Sequence, residues 1–167
     1  IKRTETTTIY DIGDGLNAKV LHGGPVRFED EDGELVDYDP SLVKIKDGEK
    51  SDGEISLKGY EYRNKIGDKK QYLPESLSEN TPILMEYDGN QITIIPTDDT
   101  VRKFGVDQSK VKVENEIVPT IYEGEGENIP VNAVYGDEDD AAVLTYTSGD
   151  AGIKETLTLN ERPKTNV

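Results

Sequence analysis

The sequence of 167 residues predicts an all-β fold, an antiparallel β-sandwich-like arrangement of ten or more strands with at most one short helical turn. Three observations lead to this prediction. Most apolar runs alternate with a period of two, which is typical of half-buried strands. Turn residues separate these runs at intervals of about ten residues, as in sandwiches and barrels. No long segment keeps a 3.6-residue period, so a βαβ unit with a nucleotide crevice is not expected.

The clearest hairpin lies at residues 82–95. Ile83, Met85 and Tyr87 share one face of the first strand, and Ile92 and Ile94 share one face of the second. Asp88 and Gly89 stand between the two runs, and this dipeptide favours a tight primed turn because glycine adopts a positive φ without steric cost. Pro96 then ends the second strand or places it at a sheet edge.

The same alternation predicts further strands at residues 6–12, 16–21, 35–38, 42–45, 60–65, 69–73, 111–114, 129–134, 143–147 and 153–159. Val26 and Phe28 alternate with Arg27 and Glu29 just before an acidic turn. The one helical turn is predicted at residues 74–79, which begin with a proline and carry a glutamate near the positive end of the turn.

The chain is predicted to be a single β-rich module, 1–167, and a fragment of a longer chain, since Ile1 is not an initiator and the last residues resemble the start of another strand. The alternative is two subdomains, 1–100 and 105–167, with a boundary near 97–108. Two polar stretches are predicted to be linkers or long loops, namely residues 46–54 and 123–128.

Composition excludes several classes of function. The chain has 19 Lys and Arg against 35 Asp and Glu, a net charge of −16, and no cysteine. Such a surface repels nucleic acid, and the missing cysteines exclude disulfides, a thiol nucleophile and thiolate metal sites. No apolar stretch has the length of a membrane span, so membrane insertion is not expected.

Chemically active motifs are missing from the sequence, and we predict no catalytic residue, no metal or cofactor site and no cofactor. His22 is the only histidine, and a general base or metal ligand needs orienting partners, so we interpret it as a surface or turn residue. The 35 acidic residues allow many carboxylate pairs of the kind used in glycoside hydrolysis, but the required spacing is spatial and the sequence does not report it.

Two acidic turns could hold calcium. Aligned on Gly33, Asp30 and Asp32 occupy two ligand positions of a calcium loop, but Phe28 stands at the first position and offers no oxygen. Residues 137–140 are a dense acidic cluster without ligand spacing. We predict solvated hairpin tips that protect strand edges, with a bound divalent ion as the alternative.

Glu155 is predicted to lie on the same face of a strand as Ile153 and Leu157. Either it is buried, where a carboxylate needs a partner or a raised pKa, or the strand leaves the core there and Glu155 meets a Lys or Arg. A buried acid of this kind promotes Lys–Asn isopeptide crosslinks in some cysteine-free surface domains.

Tyr60 and Tyr62 are predicted to share one face of a strand, separated by Glu61. Exposed tyrosines stack on sugar rings in carbohydrate-binding modules. The absence of tryptophan weakens this hypothesis, and tyrosine also fills ordinary half-buried strand positions.

Three segments carry a resemblance to a known family: YDIGDG at residues 10–15, GPVRFED at 24–30 and GELVDYDPSL at 33–42. A later run, YTSGDAGIKETLTLN at 146–160, completes the pattern. Together they resemble the β-rich N-terminal region of large secreted wall-associated and Rhs (YD)-repeat proteins of Gram-positive bacteria, including relatives with the DNRLRE domain. Leu35 stands where this family often has an aromatic residue.

The resemblance implies an extracellular β-rich module, secreted or cell-wall-associated, ahead of repeats or a toxin-bearing region. We therefore expect a non-enzymatic structural or interaction module of an exported bacterial surface or toxin-delivery protein. Its expected partners are other domains of the same long chain, with a cell-surface glycan or protein as a further partner. The alternatives are a carbohydrate-binding adhesin module that uses Tyr60 and Tyr62, and a glycoside hydrolase built on paired carboxylates.

Overall fold

The computed structural model describes residues 2–30, 32–51, 53–95, 104–119, 126–149 and 152–161. These residues form fourteen strands, all antiparallel to their neighbours, and no helix. The prediction of an antiparallel all-β fold with ten or more strands is confirmed.

Two small sheets come first in the chain. The first has three strands, β1 (Lys2–Thr4), β2 (Thr7–Gly13) and β3 (Leu16–Leu21), paired in the order of the sequence. The second is a two-stranded hairpin of β4 (Arg27–Glu29) and β5 (Leu35–Asp37).

Two larger sheets follow, and each again pairs strands in the order of the sequence. The five-stranded sheet consists of β6 (Asp39–Lys44), β7 (Tyr60–Ile66), β8 (Lys70–Pro74), β9 (Ile83–Tyr87) and β10 (Asn90–Ile94). The four-stranded sheet consists of β11 (Val111–Pro119), β12 (Gly126–Tyr135), β13 (Ala142–Gly149) and β14 (Gly152–Leu159).

The two larger sheets share one hydrophobic core, as the sheets of a sandwich do. This inner cluster consists of Leu42, Leu73, Leu77, Ile83, Val111, Ala133, Tyr135, Leu144 and Tyr146. Two buried side chains also hydrogen bond between the sheets. The Tyr135 hydroxyl donates to the carbonyl of Pro74 at 2.7 Å, and Gln71 Nε2 donates to the carbonyl of Gly149 at 3.1 Å.

A smaller outer cluster is formed by Leu57, Tyr72 and Leu84, with Ile45 and Ile55 packed against it. Tyr72 alternates with Leu73 of the inner cluster, so the outer cluster lies on the opposite face of the five-stranded sheet. The segment after β6 therefore covers part of that face. The predicted loop at 46–54 forms no strand, as expected, but its Ser51 is buried rather than solvated.

The hairpin between β9 and β10 follows its sequence prediction closely. Asp88 and Gly89 have φ values of 49° and 71°, and Tyr87 pairs with Asn90 across the turn. Both turn residues adopt a positive φ, as a type I′ turn requires.

Two predictions are wrong. Residues 74–79 form no helical turn, because their backbone groups bond to neighbouring loops: Glu75 N donates to Gly59 O, and Leu77 N donates to Gln108 O. Residues 126–128 of the predicted 123–128 loop belong to β12, where Asn128 pairs with Ile117. Pro96, most of the predicted boundary at 97–108, and residues 123–125 lie outside the described residues.

Candidate functional site

One face of the three-stranded sheet leaves apolar side chains exposed at one end, while Thr8 on the same face is buried against Arg27. Leu16, Ala18 and Val20 alternate along β3, and the register places Tyr10 opposite Ala18 and Thr8 opposite Val20 on the same face. Leu16 is 61% exposed and Val20 is 42% exposed. Contiguous exposed apolar side chains of this kind mark contact surfaces. We call Tyr10, Leu16, Ala18 and Val20 the β3 face.

A buried arginine holds the other end of this sheet. Arg27 of β4 is fully buried, and its guanidinium donates to the carbonyls of Thr4 at 2.8 Å and Thr7 at 3.2 Å and to the hydroxyl of Thr8 at 2.8 Å. Its Nε lies 2.8 Å from a carboxylate oxygen of Asp37 on β5. Arg27 therefore joins the three-stranded sheet to the β4–β5 hairpin through polar bonds.

The alternation of Val26 and Phe28 with Arg27 gave no sign of this burial. Both apolar neighbours are half-buried while Arg27 has no exposed surface. Asp37 is the cross-strand neighbour of Arg27 in the hairpin, but the other partners of the guanidinium lie on strands more than fifteen residues earlier in the chain. No local signal in the sequence could identify them.

Charge distinguishes this sheet from the rest of the chain. The first 22 residues carry equal numbers of basic and acidic side chains, namely Lys2, Arg3 and Lys19 against Glu5, Asp11 and Asp14. The whole net charge of −16 therefore falls on the residues that follow. The β3 face belongs to the neutral part of a strongly acidic protein.

A second candidate is an open cleft of about 900 Å³ between the β4–β5 hairpin, residues 46–50 and strands β6–β8. Its basic lining residues are Lys46, Lys50, Arg63, Lys65 and Lys70. Its acidic lining residues are Glu29, Asp30, Asp32, Asp47 and Glu49. The lining of the cleft therefore has balanced charge, in a protein that is strongly acidic.

Several of these charges are already paired. Glu49 forms a short ion pair with Arg63, and Lys65 Nζ lies 2.8 Å from Asp39 Oδ2. Burial alone would raise the pKa of the Glu49 carboxyl, but hydrogen bonds from the Lys46 backbone and from Arg63 hold its pKa below the usual value. Burial is likewise outweighed at Asp39, where hydrogen bonds from Lys65 and Ser41 lower the pKa. Both acids are thus held ionised as ion-pair partners.

Tyr60 and Tyr62 do not share a face, so that prediction is wrong. The pairing of β7 with β8 shifts between them, with Tyr60 opposite Pro74 and Tyr62 opposite Leu73. This bulge adds one residue to β7 and reverses the alternation. Tyr60 packs against the outer cluster and Tyr62 against the inner cluster. The two rings therefore form no common stacking platform for a sugar.

The acidic turns use their carboxylates on their own backbone. Asp30 Oδ1 accepts from the amides of Asp32 at 3.0 Å and Glu34 at 2.9 Å. Asp140 Oδ2 accepts from the amide of Asp137 at 2.8 Å, and Asp137 Oδ1 accepts from Asp139 at 3.1 Å. Among the described residues, no group of three or more His, Cys, Asp or Glu side chains is placed to hold a metal ion.

Glu155 is exposed, and its partner is neither a lysine nor an arginine. The hydroxyl of Tyr146, on the neighbouring strand β13, donates to Glu155 Oε2 at 2.7 Å. Burial, followed by this hydrogen bond, raises the pKa of Tyr146. The prediction that the strand leaves the core at Glu155 is therefore confirmed. The predicted Lys or Arg partner is replaced by the hydroxyl of the buried Tyr146.

His22 is half-buried at the end of β3. Its Nε2 lies 3.4 Å from the Thr8 hydroxyl, and its amide donates to the Thr6 carbonyl at 2.9 Å. These bonds place it among the residues that close the three-stranded sheet.

Comparisons with protein-family models, with curated proteins and with solved structures find no match to this chain. Within the described part of the chain, no helix has the length and apolarity needed to cross a membrane.

Proposed function

We propose that this chain is a non-enzymatic interaction module of an exported bacterial surface or toxin-delivery protein, secreted or cell-wall-associated, and that it makes contact through the β3 face. The observation that carries the proposal is the exposure of Leu16 and Val20 on a sheet that is itself firmly held by Arg27. A rigidly presented apolar surface loses little conformational entropy on binding. The resemblance to wall-associated and Rhs-repeat proteins supplies the setting.

Other domains of the same long polypeptide are the partners we expect for this face. Hydrogen exchange tests this by comparing the isolated chain with the complete polypeptide in which it naturally occurs. We expect slower exchange of the β3 amides in the complete polypeptide, with β13 amides unchanged as an internal control. Equal exchange at β3 in both samples contradicts the proposal.

A cell-surface glycan is the second candidate partner, and the mixed-charge cleft favours it. A volume of about 900 Å³ lies in the range of ligand sites, and its five basic and five acidic side chains offer hydrogen-bond donors and acceptors for the hydroxyl groups of a glycan. A glycan array tests this with the natural chain and Lys65→Ala/Lys70→Ala. Lys112→Ala, a variant at an exposed lysine outside the cleft, is the matched control.

Array binding that disappears in the cleft variant but persists in Lys112→Ala favours the adhesin function. Binding that disappears in Tyr60→Ala/Tyr62→Ala instead favours a tyrosine-based site. Turnover of a polysaccharide above the protein-free rate favours the hydrolase alternative and contradicts a non-enzymatic module.

A further inference from the structure

We propose that β3 is a pairing edge at which two copies of this chain join antiparallel, with Leu16 of one copy opposite Val20 of the other. The inference rests on the proposed function of the β3 face and names its occupant. Four features carry it: the weakly protected edge, the self-complementary sequence, the neutral charge and the closure of the assembly.

The edge of β3 has less of the protection that most other edges carry, because a single lysine is its one charged side chain. An outer strand presents unpaired N–H and C=O groups, and natural proteins protect them with charges, proline or bulges. Among the outer strands described, β1 carries Lys2 and Arg3, β4 carries Arg27 and Glu29, β5 carries Asp37, β6 carries Pro40, β11 carries Lys112, Glu114 and Glu116, and β14 carries Lys154 and Glu155. β3 runs for six residues with Lys19 as its one charge. β10 is also uncharged, but it leads directly into residues outside the described part of the chain.

The sequence of β3 is complementary to itself. If two copies pair antiparallel about Ala18, then Leu16 faces Val20 of the second copy and Asn17 faces Lys19. Directly opposite residues in an antiparallel pair lie on the same face of the sheet. The apolar residues therefore meet apolar residues on one side, whereas on the other side Asn17 meets Lys19 and Leu21 meets Gly15. A shift of the pairing by one residue would mix the two sides.

Charge favours a second copy at this edge and disfavours it elsewhere. The three-stranded sheet is neutral, whereas the residues after it carry the net charge of −16. Two copies that approach through β3 bring neutral surfaces together and keep the acidic sandwiches at the far ends. Any approach through the larger sheets brings like charges together, which is repulsive.

Pairing at β3 also closes the assembly. The contact is isologous, so each copy uses the same edge and no equivalent edge remains free for a third copy. The product is a six-stranded sheet with a continuous apolar strip across its centre. The structure therefore predicts a dimer rather than a fibre.

Disulfide trapping tests the register directly, because the natural chain has no cysteine. Ala18→Cys places two cysteines opposite each other at the symmetry axis, with Cβ atoms roughly 5 Å apart. In Leu16→Cys, the cysteines of the two copies are separated by four residues along the strand, about 13 Å, so two copies of this variant cannot form a disulfide with each other. A mixture of Leu16→Cys and Val20→Cys brings the two cysteines together again.

We expect mild oxidation to give about tenfold more dimer from Ala18→Cys and from the mixture than from Leu16→Cys alone, because paired cysteines meet at high effective concentration. Ile117→Cys, at an exposed site on the β11 edge, is the collision control. Equal crosslinking of all variants overturns the proposed register.

Sedimentation of the cysteine-free chain over a concentration series gives the second readout. We expect a monomer–dimer equilibrium that Ala18→Glu shifts to monomer and Ile117→Glu leaves unchanged. Far-UV circular dichroism and hydrogen exchange of β2 verify that Ala18→Glu keeps the three-stranded sheet folded. A natural chain that stays monomeric at every concentration overturns self-pairing. If its β3 amides are nevertheless protected in the complete polypeptide, the proposed function survives and the occupant is a different segment.

Discussion

The region before β6 and the region after it are held together by different forces. All described buried apolar side chains lie between Pro40 and Tyr146, whereas the buried side chains before β6 are Thr7, Thr8 and Arg27. The later region is stabilised by the burial of apolar side chains, and this stabilisation does not depend on the relative orientation of the contacting groups. The earlier region depends on directional bonds to one guanidinium, so its geometry is specified with very few contacts. It can leave apolar residues on its surface because its stability does not come from burying them.

Arg27→Met tests this contrast with the largest expected effect. The variant leaves the Thr4 and Thr7 carbonyls without their donor, and we expect a loss of about 4 kcal/mol of local stability, from two or three hydrogen bonds to a charged donor. Hydrogen exchange is expected to show β1–β3 amides losing protection while β12 and β13 keep theirs. Lys19→Met, at a basic residue on the same sheet, serves as the control. Equal loss of amide protection in both regions contradicts the claim that the two regions are stabilised by different interactions.

Leu73→Ala tests the sandwich. Leu73 is 1% exposed in the inner cluster, and we expect a loss of about 2–5 kcal/mol in the free energy of unfolding, from lost burial and the cavity left behind. Chemical denaturation followed by circular dichroism measures it. Ile92→Ala, at an exposed position of the same sheet, is expected to cost far less. Similar midpoints for the two variants contradict the assignment of the core.

Tyr146→Phe tests the bond that closes the core at β14. Removal of the hydroxyl is expected to cost about 1 kcal/mol at neutral pH, since one hydrogen bond to Glu155 is lost. Burial raises the pKa of Tyr146, and it also raises the pKa of Tyr135. The folded state therefore keeps both protons when the unfolded chain loses them near pH 10, and stability falls as pH rises above about 10.

Denaturation midpoints measured across the alkaline range check this pH dependence. The natural chain is expected to lose stability steeply in this range, and Tyr135→Phe/Tyr146→Phe to lose it less steeply. Tyr87→Phe, at an exposed tyrosine, should leave the slope unchanged. A natural chain whose midpoint is constant through pH 11 or so, well above the tyrosine reference value, contradicts the prediction.

Ions are expected to give the smallest effect. The acidic excess lies after residue 22, so salt screens self-repulsion and raises the melting temperature modestly. Because Asp30 and Asp140 accept backbone hydrogen bonds within their own turns, we expect calcium to give the same shift as sodium at matched ionic strength. A larger, chelator-sensitive shift that is lost in Asp32→Ala or Asp139→Ala would identify a metal site at one of these turns.

Local patterns predicted the local parts of this fold. The alternation over 82–95 and the Asp88-Gly89 turn determine a hairpin almost by themselves, because both the partner strands and the turn are adjacent in sequence. The failures share a different cause. The bulge that separates Tyr60 from Tyr62 depends on how β7 meets β8, and the bends near Leu77 depend on the distant Gln108 carbonyl.

The candidate site was predictable only in part. The alternation of Leu16, Ala18 and Val20 is visible in the sequence, but it indicates an inward face as readily as an outward one. It is exposed because none of the described sheets packs on it, and this depends on the tertiary structure rather than on the local sequence. The burial of Arg27 could not be predicted from the sequence either, because it depends on contacts with strands that are distant in the chain.

Every sheet in this protein consists of strands that follow one another in the chain. Each sheet can therefore be completed as soon as its last strand is available, without waiting for later segments. Short sequence separations between pairing strands favour rapid folding. A polypeptide that emerges gradually from a ribosome or an export channel would thus form its sheets in succession, and only the closure of the sandwich would have to wait. Pulse-labelling hydrogen exchange during refolding should show protection within β6–β10 before protection of the Val111 amide, which donates to the Glu75 carbonyl and joins β11 to the end of β8. Simultaneous protection would contradict this order.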